Sequence, residues 1–114
     1  MKKSDPLLLA RKADVFNALA HPLRLEIVAF LRGGERCVCE IVDHARAEQS
    51  NTSRHLALMV RAGVLTRRKK GLNVYYAVRC ACVLDFLDCV DGVLRQQLCE
   101  TERMLGRRTR RGGD

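Results

Sequence analysis

Gln49-Ser50-Asn51-Thr52-Ser53-Arg54-His55-Leu56 is the stretch that decides the fold. Within residues 49–62, Leu56, Met59 and Val60 recur at helical spacing and face inward, while Gln49, Ser50, Ser53, Arg54 and His55 lie outward or near the leading end. Thr52 falls among them and is counted in the same candidate set. Small polar side chains with an Arg and a His near a helix amino terminus suit major-groove reading, because they reach base edges and phosphates without steric cost. An ordinary solvated helix face is the plain alternative, and the segments on both sides weigh against it. Gly63 stops this helix. Before it, residues 46–49 form a turn and residues 37–45 a short helix with Val38, Ile41 and Val42 on its buried side.

Downstream, residues 64–79 read as a β-hairpin that turns at Gly71, with Val74, Tyr76 and Val78 alternating to one face. A charge run by itself is usually solvated surface. Arg67, Arg68, Lys69 and Lys70 sit on a hairpin beside a reading helix, where they can grip phosphates or a minor groove, with Asn73 and Tyr75 as further contacts. Upstream, Leu8, Val15, Phe16 and Leu19 share one side of a helix that Pro6 opens and His21-Pro22 closes, since the residue before proline avoids helical angles. Pro22 then suits the first turn of a second helix, in which Leu23, Ile27, Phe30 and Leu31 repeat before Gly33-Gly34 ends it.

The last predicted element is a long helix over residues 82–105. One stripe is Val83, Leu87, Val90, Leu94 and Leu98; a neighbouring one is Cys82, Phe86, Cys89 and Val93. That apolar width exceeds the need of one small domain and is best satisfied by a symmetry mate, giving a twofold dimer able to address a palindromic operator. The expected fold is therefore mainly α with a small β-hairpin wing, a winged helix-turn-helix that is homodimeric through its terminal helices. Residues 1–105 form the DNA-binding and dimerisation domain and residues 106–114 a basic flexible tail.

Composition agrees. A chain of 114 residues has room for one modest core, and 21 Lys and Arg against 13 Asp and Glu leave a formal charge of +8, which favours polyanions, nucleic acid before membrane surfaces. Leu7-Leu8-Leu9-Ala10 is too short for a signal-peptide core and is interrupted by Arg11-Lys12, and no apolar run approaches a membrane span of about 20 residues. A cytoplasmic location with no membrane partner follows, where Cys clusters more often mean metal or redox chemistry than disulfides.

Cys37-Val38-Cys39 stands just ahead of the reader. Thiolates are soft ligands that favour As(III), Sb(III), Cd(II), Pb(II) and Zn(II) over hard cations, and no water-activating set that would make an enzyme accompanies them. On an ideal helix, residues two apart point about 200° away from each other, so both sulfurs reach one ion only if the start of the third helix unwinds. Such a distortion, ahead of the reader, supplies the differential affinity a ligand switch needs.

Ala20-His21-Pro22-Leu23-Arg24, Cys37-Val38-Cys39-Glu40-Ile41, Gln49-Ser50 with Ser53-Arg54-His55-Leu56, Arg61-Ala62-Gly63-Val64-Leu65 and Val74-Tyr75-Tyr76 together resemble the ArsR/SmtB family of winged-helix metal-responsive repressors, over about residues 15–98. The resemblance implies a homodimer that occupies double-stranded operator DNA without metal and lets go on binding it, with As(III) or Sb(III) the leading inducer and Cd(II), Pb(II) or Zn(II) open. Arsenic sensors of this type often carry a third Cys where this chain has Val42, and cadmium and lead sensors add amino-terminal cysteines that are lacking before Cys37. The third sulfur is therefore sought from Cys80, Cys82, Cys89 or Cys99, from the other protomer, or from an exogenous thiol. The family's zinc site of Asp, His and Glu on the last helix is not reproduced, because all three histidines precede that helix. Cys89 on its apolar stripe reads as a buried small hydrophobe. A redox-responsive repressor remains open, whereas a thiol oxidoreductase expects C-x-x-C on a βαβ frame, which this sequence lacks.

Overall fold

The computed structural model describes residues 5–106, in two compact units divided between Val83 and Leu84. In the first unit, Asp5 accepts from the Leu7 amide and Pro6 takes the first helical position, starting α1 (Pro6–Leu19). The His21 ring accepts from the Leu23 amide at 3.0 Å and Pro22 opens α2 (Pro22–Phe30), so the His-Pro pair both ends one helix and starts the next. A 3-10 turn over Leu31–Gly33 follows, and Gly34, at φ +134°, redirects the chain.

The chain next forms β1 (Arg36–Cys37), a strand the sequence reading did not contain, and then α3 (Val38–Ala45) and α4 (Gln49–Ala62). Arg46, at φ 54°, closes α3, and Gly63, at φ 90°, closes α4 with the Val64 amide bonded back to the Met59 carbonyl at 3.0 Å. β2 (Leu65–Lys70) and β3 (Asn73–Val78) pair antiparallel from Leu65 opposite Val78 to Lys70 opposite Asn73, and β1 joins the other edge through Arg36 opposite Tyr76 and Cys37 opposite Tyr75. The wing is thus a three-stranded sheet in the order β1-β3-β2, one strand more than a hairpin. Two residues are too few for an alternating pattern, and spacing alone runs the helix back to Cys37.

Ala18, Leu19, Ile27, Val28, Leu31, Ile41, Leu56, Met59, Val64, Leu65 and Tyr76 form the core beneath the reader. Each large apolar side chain buried there contributes about 1.5–3 kcal/mol. Thr52 is among them, fully buried, which corrects its place in the DNA-contact set: it lies on the same inner side of α4 as Leu56 and Met59.

α5 (Ala81–Met104) matches the predicted long helix within a residue at each end. The second unit consists of this helix from Leu84 onward with the residues that follow it. None of its described residues is buried within the single chain: Val90, Val93, Leu94 and Leu98 are exposed, and so is Cys89 beside them. Of the expected basic tail, residues 107–114 lie outside the described residues.

Candidate nucleic-acid interface and thiol site

Along α4, Gln49, Ser50 and Arg54 are exposed and Ser53 and His55 half-buried. Arg54 Nη2 donates to Asn51 Oδ1 at 3.0 Å, one turn earlier, which holds the guanidinium along the outer face. His55 is tied inward. Its Nδ1 accepts from Arg24 Nε at 3.0 Å, Arg24 Nη1 donates to the Asn17 carbonyl at 2.9 Å, and the His21 ring lies 4.6 Å away. One imidazole therefore links α1, α2 and α4. Burial, followed by the charges of His21, Arg24 and Arg54, holds His55 below the usual imidazole range, in keeping with a neutral ring whose Nδ1 accepts.

In the wing, Arg67, Arg68, Lys69, Lys70 and Asn73 are exposed and Tyr75 half-buried. Arg68 is already engaged: its Nε and Nη2 donate to the two Glu35 oxygens at 2.9 and 2.7 Å, and its guanidinium carbon lies 5.7 Å from the Tyr75 ring centre. The same fork holds the Glu35 carboxyl below the usual carboxylate range. Reading the four cations as one run missed this, because Glu35 comes from 33 residues upstream. Its position beside the wing depends on β1.

The thiol site lies where the sheet meets α3. Cys37 has extended angles, φ −70° and ψ 148°, and is the amino-terminal cap of α3 rather than its first residue. Its sulfur accepts from the Cys39 amide at 3.4 Å, its own amide donates to Glu40 Oε1 at 3.0 Å, and the arrangement is a capping box with Cys in the place of the usual Ser or Thr. This corrects the helical-wheel argument. Because Cys37 lies off the helix, the two sulfurs converge into contact, either able to donate to the other, and no unwinding is needed to bring them together. That contact, then the Cys39 amide, pulls the Cys37 thiol down from its ordinary range; the same contact and partial burial push Cys39 up. Of the two, the buried Cys37 is thus the thiol that loses its proton more readily and the exposed Cys39 the one that loses it less readily.

A second pair of cysteines lies in the same unit. Cys80 and Cys82 repeat the local geometry, the Cys82 amide bonding to the Cys80 sulfur at 3.5 Å, and both are exposed. Cys37 is opposite Tyr75, and β3 runs on from there for three residues to Val78, about 10 Å at about 3.3 Å each, before the chain reaches Cys80. Cys99 is exposed in the second unit, with Arg103 Nη2 at 3.5 Å from its sulfur. Among the described residues, no three His, Cys, Asp or Glu side chains are grouped so as to hold an ion. His44 bonds Glu26 at 2.6 Å and stacks on Phe30 at 4.1 Å, so its role is to pack α3 on α2.

A helix-turn-helix followed by a wing defines a DNA-binding class, and comparison with known proteins gives the family. The family model described as "Bacterial regulatory protein, arsR family" matches residues 21–67. The chain is 32% identical to the arsenical resistance operon repressor of Bacillus subtilis over 87% of its own length and 89% of that protein. It is 39% identical to the HTH-type transcriptional repressor SmtB of Mycobacterium tuberculosis over 60% of its length, spanning about half (51%) of that relative. The solution structure of a homodimeric winged helix-turn-helix DNA-binding domain from Mycobacterium bovis superposes with a TM-score of 0.74 at 29% identity, covering 86% of this chain and 93% of the other. The chain belongs to the arsR family of bacterial regulatory proteins. These relatives are transcriptional regulators and not enzymes. No helix among the described residues is long and apolar enough to cross a membrane.

Proposed function

We propose that this chain is a metal-responsive transcriptional repressor that binds double-stranded operator DNA as a homodimer in the cytoplasm and leaves it when a thiophilic ion, As(III) or Sb(III) first, engages Cys37 and Cys39. The observation that carries the reading is the pair of sulfurs in contact at the joint between the wing sheet and α3. An ion held by both sulfurs takes the lone pairs that cap α3 and sits on the residue that pairs with Tyr75. Loss of a cap costs about 0.5–2 kcal/mol. That is of the order of the 1–3 kcal/mol typical of allosteric coupling, which weakens operator affinity several-fold to about a hundredfold.

Gln49, Ser50, Ser53 and Arg54 read the major groove; Arg67, Lys69, Lys70 and Asn73 take phosphates or the adjoining minor groove. His55, Arg68 and Tyr75 hold these surfaces in place. Residues 1–105 act as one DNA-binding and dimerisation domain with residues 106–114 as a basic tail. The exposed apolar side chains of α5 support dimerisation through that helix, as does the homodimeric Mycobacterium bovis relative. The third sulfur comes from the partner protomer or from a small thiol. Cd(II), Pb(II) and Zn(II) are the alternative ions.

A second reading, a redox-responsive repressor, is favoured by the contact between the two sulfurs, since two neighbouring thiols can be joined as a disulfide by a two-electron oxidant such as a peroxide. Anaerobic titration of the operator complex with As(III), Sb(III), Cd(II), Pb(II) and Zn(II), repeated on each Cys→Ser variant, tests the assignment. Release by As(III) that disappears in Cys37→Ser and Cys39→Ser is expected; release only by peroxide, with a disulfide seen by mass spectrometry, selects the redox form.

A further inference from the structure

β1 holds the wing at one place only, opposite Tyr75 and Tyr76, while the β2–β3 ribbon continues outward to Lys70 and Asn73. The inner end of the ribbon is anchored in the core through Leu65 and Tyr76, whereas its outer part, from Arg67 to Asn73, is exposed and lies beyond the reach of that pairing. A second attachment exists: Glu35, two residues before Cys37, reaches across β3 to grip Arg68 of β2 with both carboxylate oxygens. β1 and β2 are not neighbours in the sheet, so this bridge spans the intervening strand, and the Tyr75 ring lies against its guanidinium. Cys37, Tyr75 and Arg68 occupy one cross-strand row. The segment that carries the first thiol is therefore fixed to both strands of the wing.

We infer that Glu35 is a positioning residue, which through Arg68 braces the wing against the Cys37 segment and makes the wing follow any displacement of that thiol. The inference rests on the proposed response to a thiophilic ion. Arg68 is in this account a structural cation: held in a fork by Glu35, it sets where Arg67, Lys69 and Lys70 point without itself being spent on a phosphate. The bridge suits a mechanical role because it is half-exposed and contributes little to stability, as surface ion pairs generally do, while its planar two-point geometry fixes orientation. Its loss should leave the protein folded.

The test compares the full-length protein with Glu35→Gln, Arg68→Gln and the double variant. Without any ion, amide exchange in β2 and β3 should quicken several-fold in Glu35→Gln while α1 and α2 keep their protection. With arsenite as the probe, added anaerobically, thiol occupancy should be unchanged, and the arsenite-induced loss of operator affinity should shrink by about tenfold, within the usual range of allosteric couplings. The double variant should match either single variant, as two halves of one contact must. Unchanged exchange together with full arsenite release in Glu35→Gln overturns the inference. If the unmodified protein is not released by arsenite, the proposed inducer fails, and the exchange comparison still decides whether Glu35 braces the wing.

Discussion

The chain carries two C-x-C pairs whose local geometry is nearly the same and whose settings are not. In each, the first sulfur accepts the amide two residues on, at 3.4 Å for Cys37 and 3.5 Å for Cys80, and in each a helix follows at once. Cys37, however, is 7% exposed, caps α3 through a full capping box and is a strand residue of the wing sheet, whereas both Cys80 and Cys82 are open to solvent. Composition makes a thiol pair a soft ligand. On the proposed reading, a place at the joint between the wing sheet and α3, just ahead of α4, is what suits the first pair to sensing, whereas the second stands at the joint between β3 and α5.

The largest expected effect separates reader from sensor. Arg54→Ala should lower operator affinity by about 1–3 kcal/mol if the side chain reads a base edge, or reduce the salt slope by about 0.9 if it meets a phosphate. Its ratio of affinities with and without arsenite should stay that of the unmodified protein. Titrating fluorescent operator at several salt concentrations checks both, and an unchanged affinity and slope removes Arg54 from the reading surface.

A smaller effect distinguishes the thiols chemically. Cys37 lies below the ordinary thiol range and Cys39 above it, so limited alkylation across rising pH should modify Cys37 first once shielding is corrected for, with Cys39 lagging. Peptide mapping by mass spectrometry reads the order, and Cys39 reacting ahead of Cys37 at low pH contradicts it.

The core beneath the reader answers to pH through His55. Its folded value lies below the ordinary 6.5, so the neutral ring is the form the fold favours; that stability is complete above 6.5 and is lost as pH falls through the folded value. The melting temperature should drop on acidification below neutrality, and His55→Gln should flatten that dependence. The smallest effect belongs to Thr52, whose buried Oγ1 has no hydrogen-bond partner among the described residues. Thr52→Val should leave operator affinity unchanged and hold or raise stability by about 1 kcal/mol, since an unpaired buried polar atom costs about 1–3 kcal/mol. A marked loss of DNA binding would return Thr52 to the interface.

Much of this molecule can be read from spacing alone. The proline and glycine punctuation around α1, α2 and α4 is local chemistry, and the sequence-based bounds of α4 coincide with Gln49–Ala62. What escaped depends on contacts between distant segments. β1 exists because Arg36 and Cys37 find Tyr76 and Tyr75, and its two residues carry no period. Without β1, helical spacing puts Cys37 on α3 with its sulfur aimed away from Cys39, whereas the strand pairing turns it back. The partner of Arg68 was hidden for the same reason. Thr52 was misassigned because a small polar residue on a helix of mixed character reads as surface until its phase against Leu56 and Met59 is followed. The joining of Cys37 to Cys39 had a usable signal: Glu40, three residues after Cys37, is the second half of a capping box.

The central claim is that the first pair, and not the second, governs operator affinity. Its most direct test is one anaerobic arsenite titration of the operator complex, followed by fluorescence anisotropy, on the unmodified protein, Cys37→Ser/Cys39→Ser and Cys80→Ser/Cys82→Ser. The account predicts loss of DNA by the first and third proteins and retention by the second. Retention by the third with release by the second would contradict it.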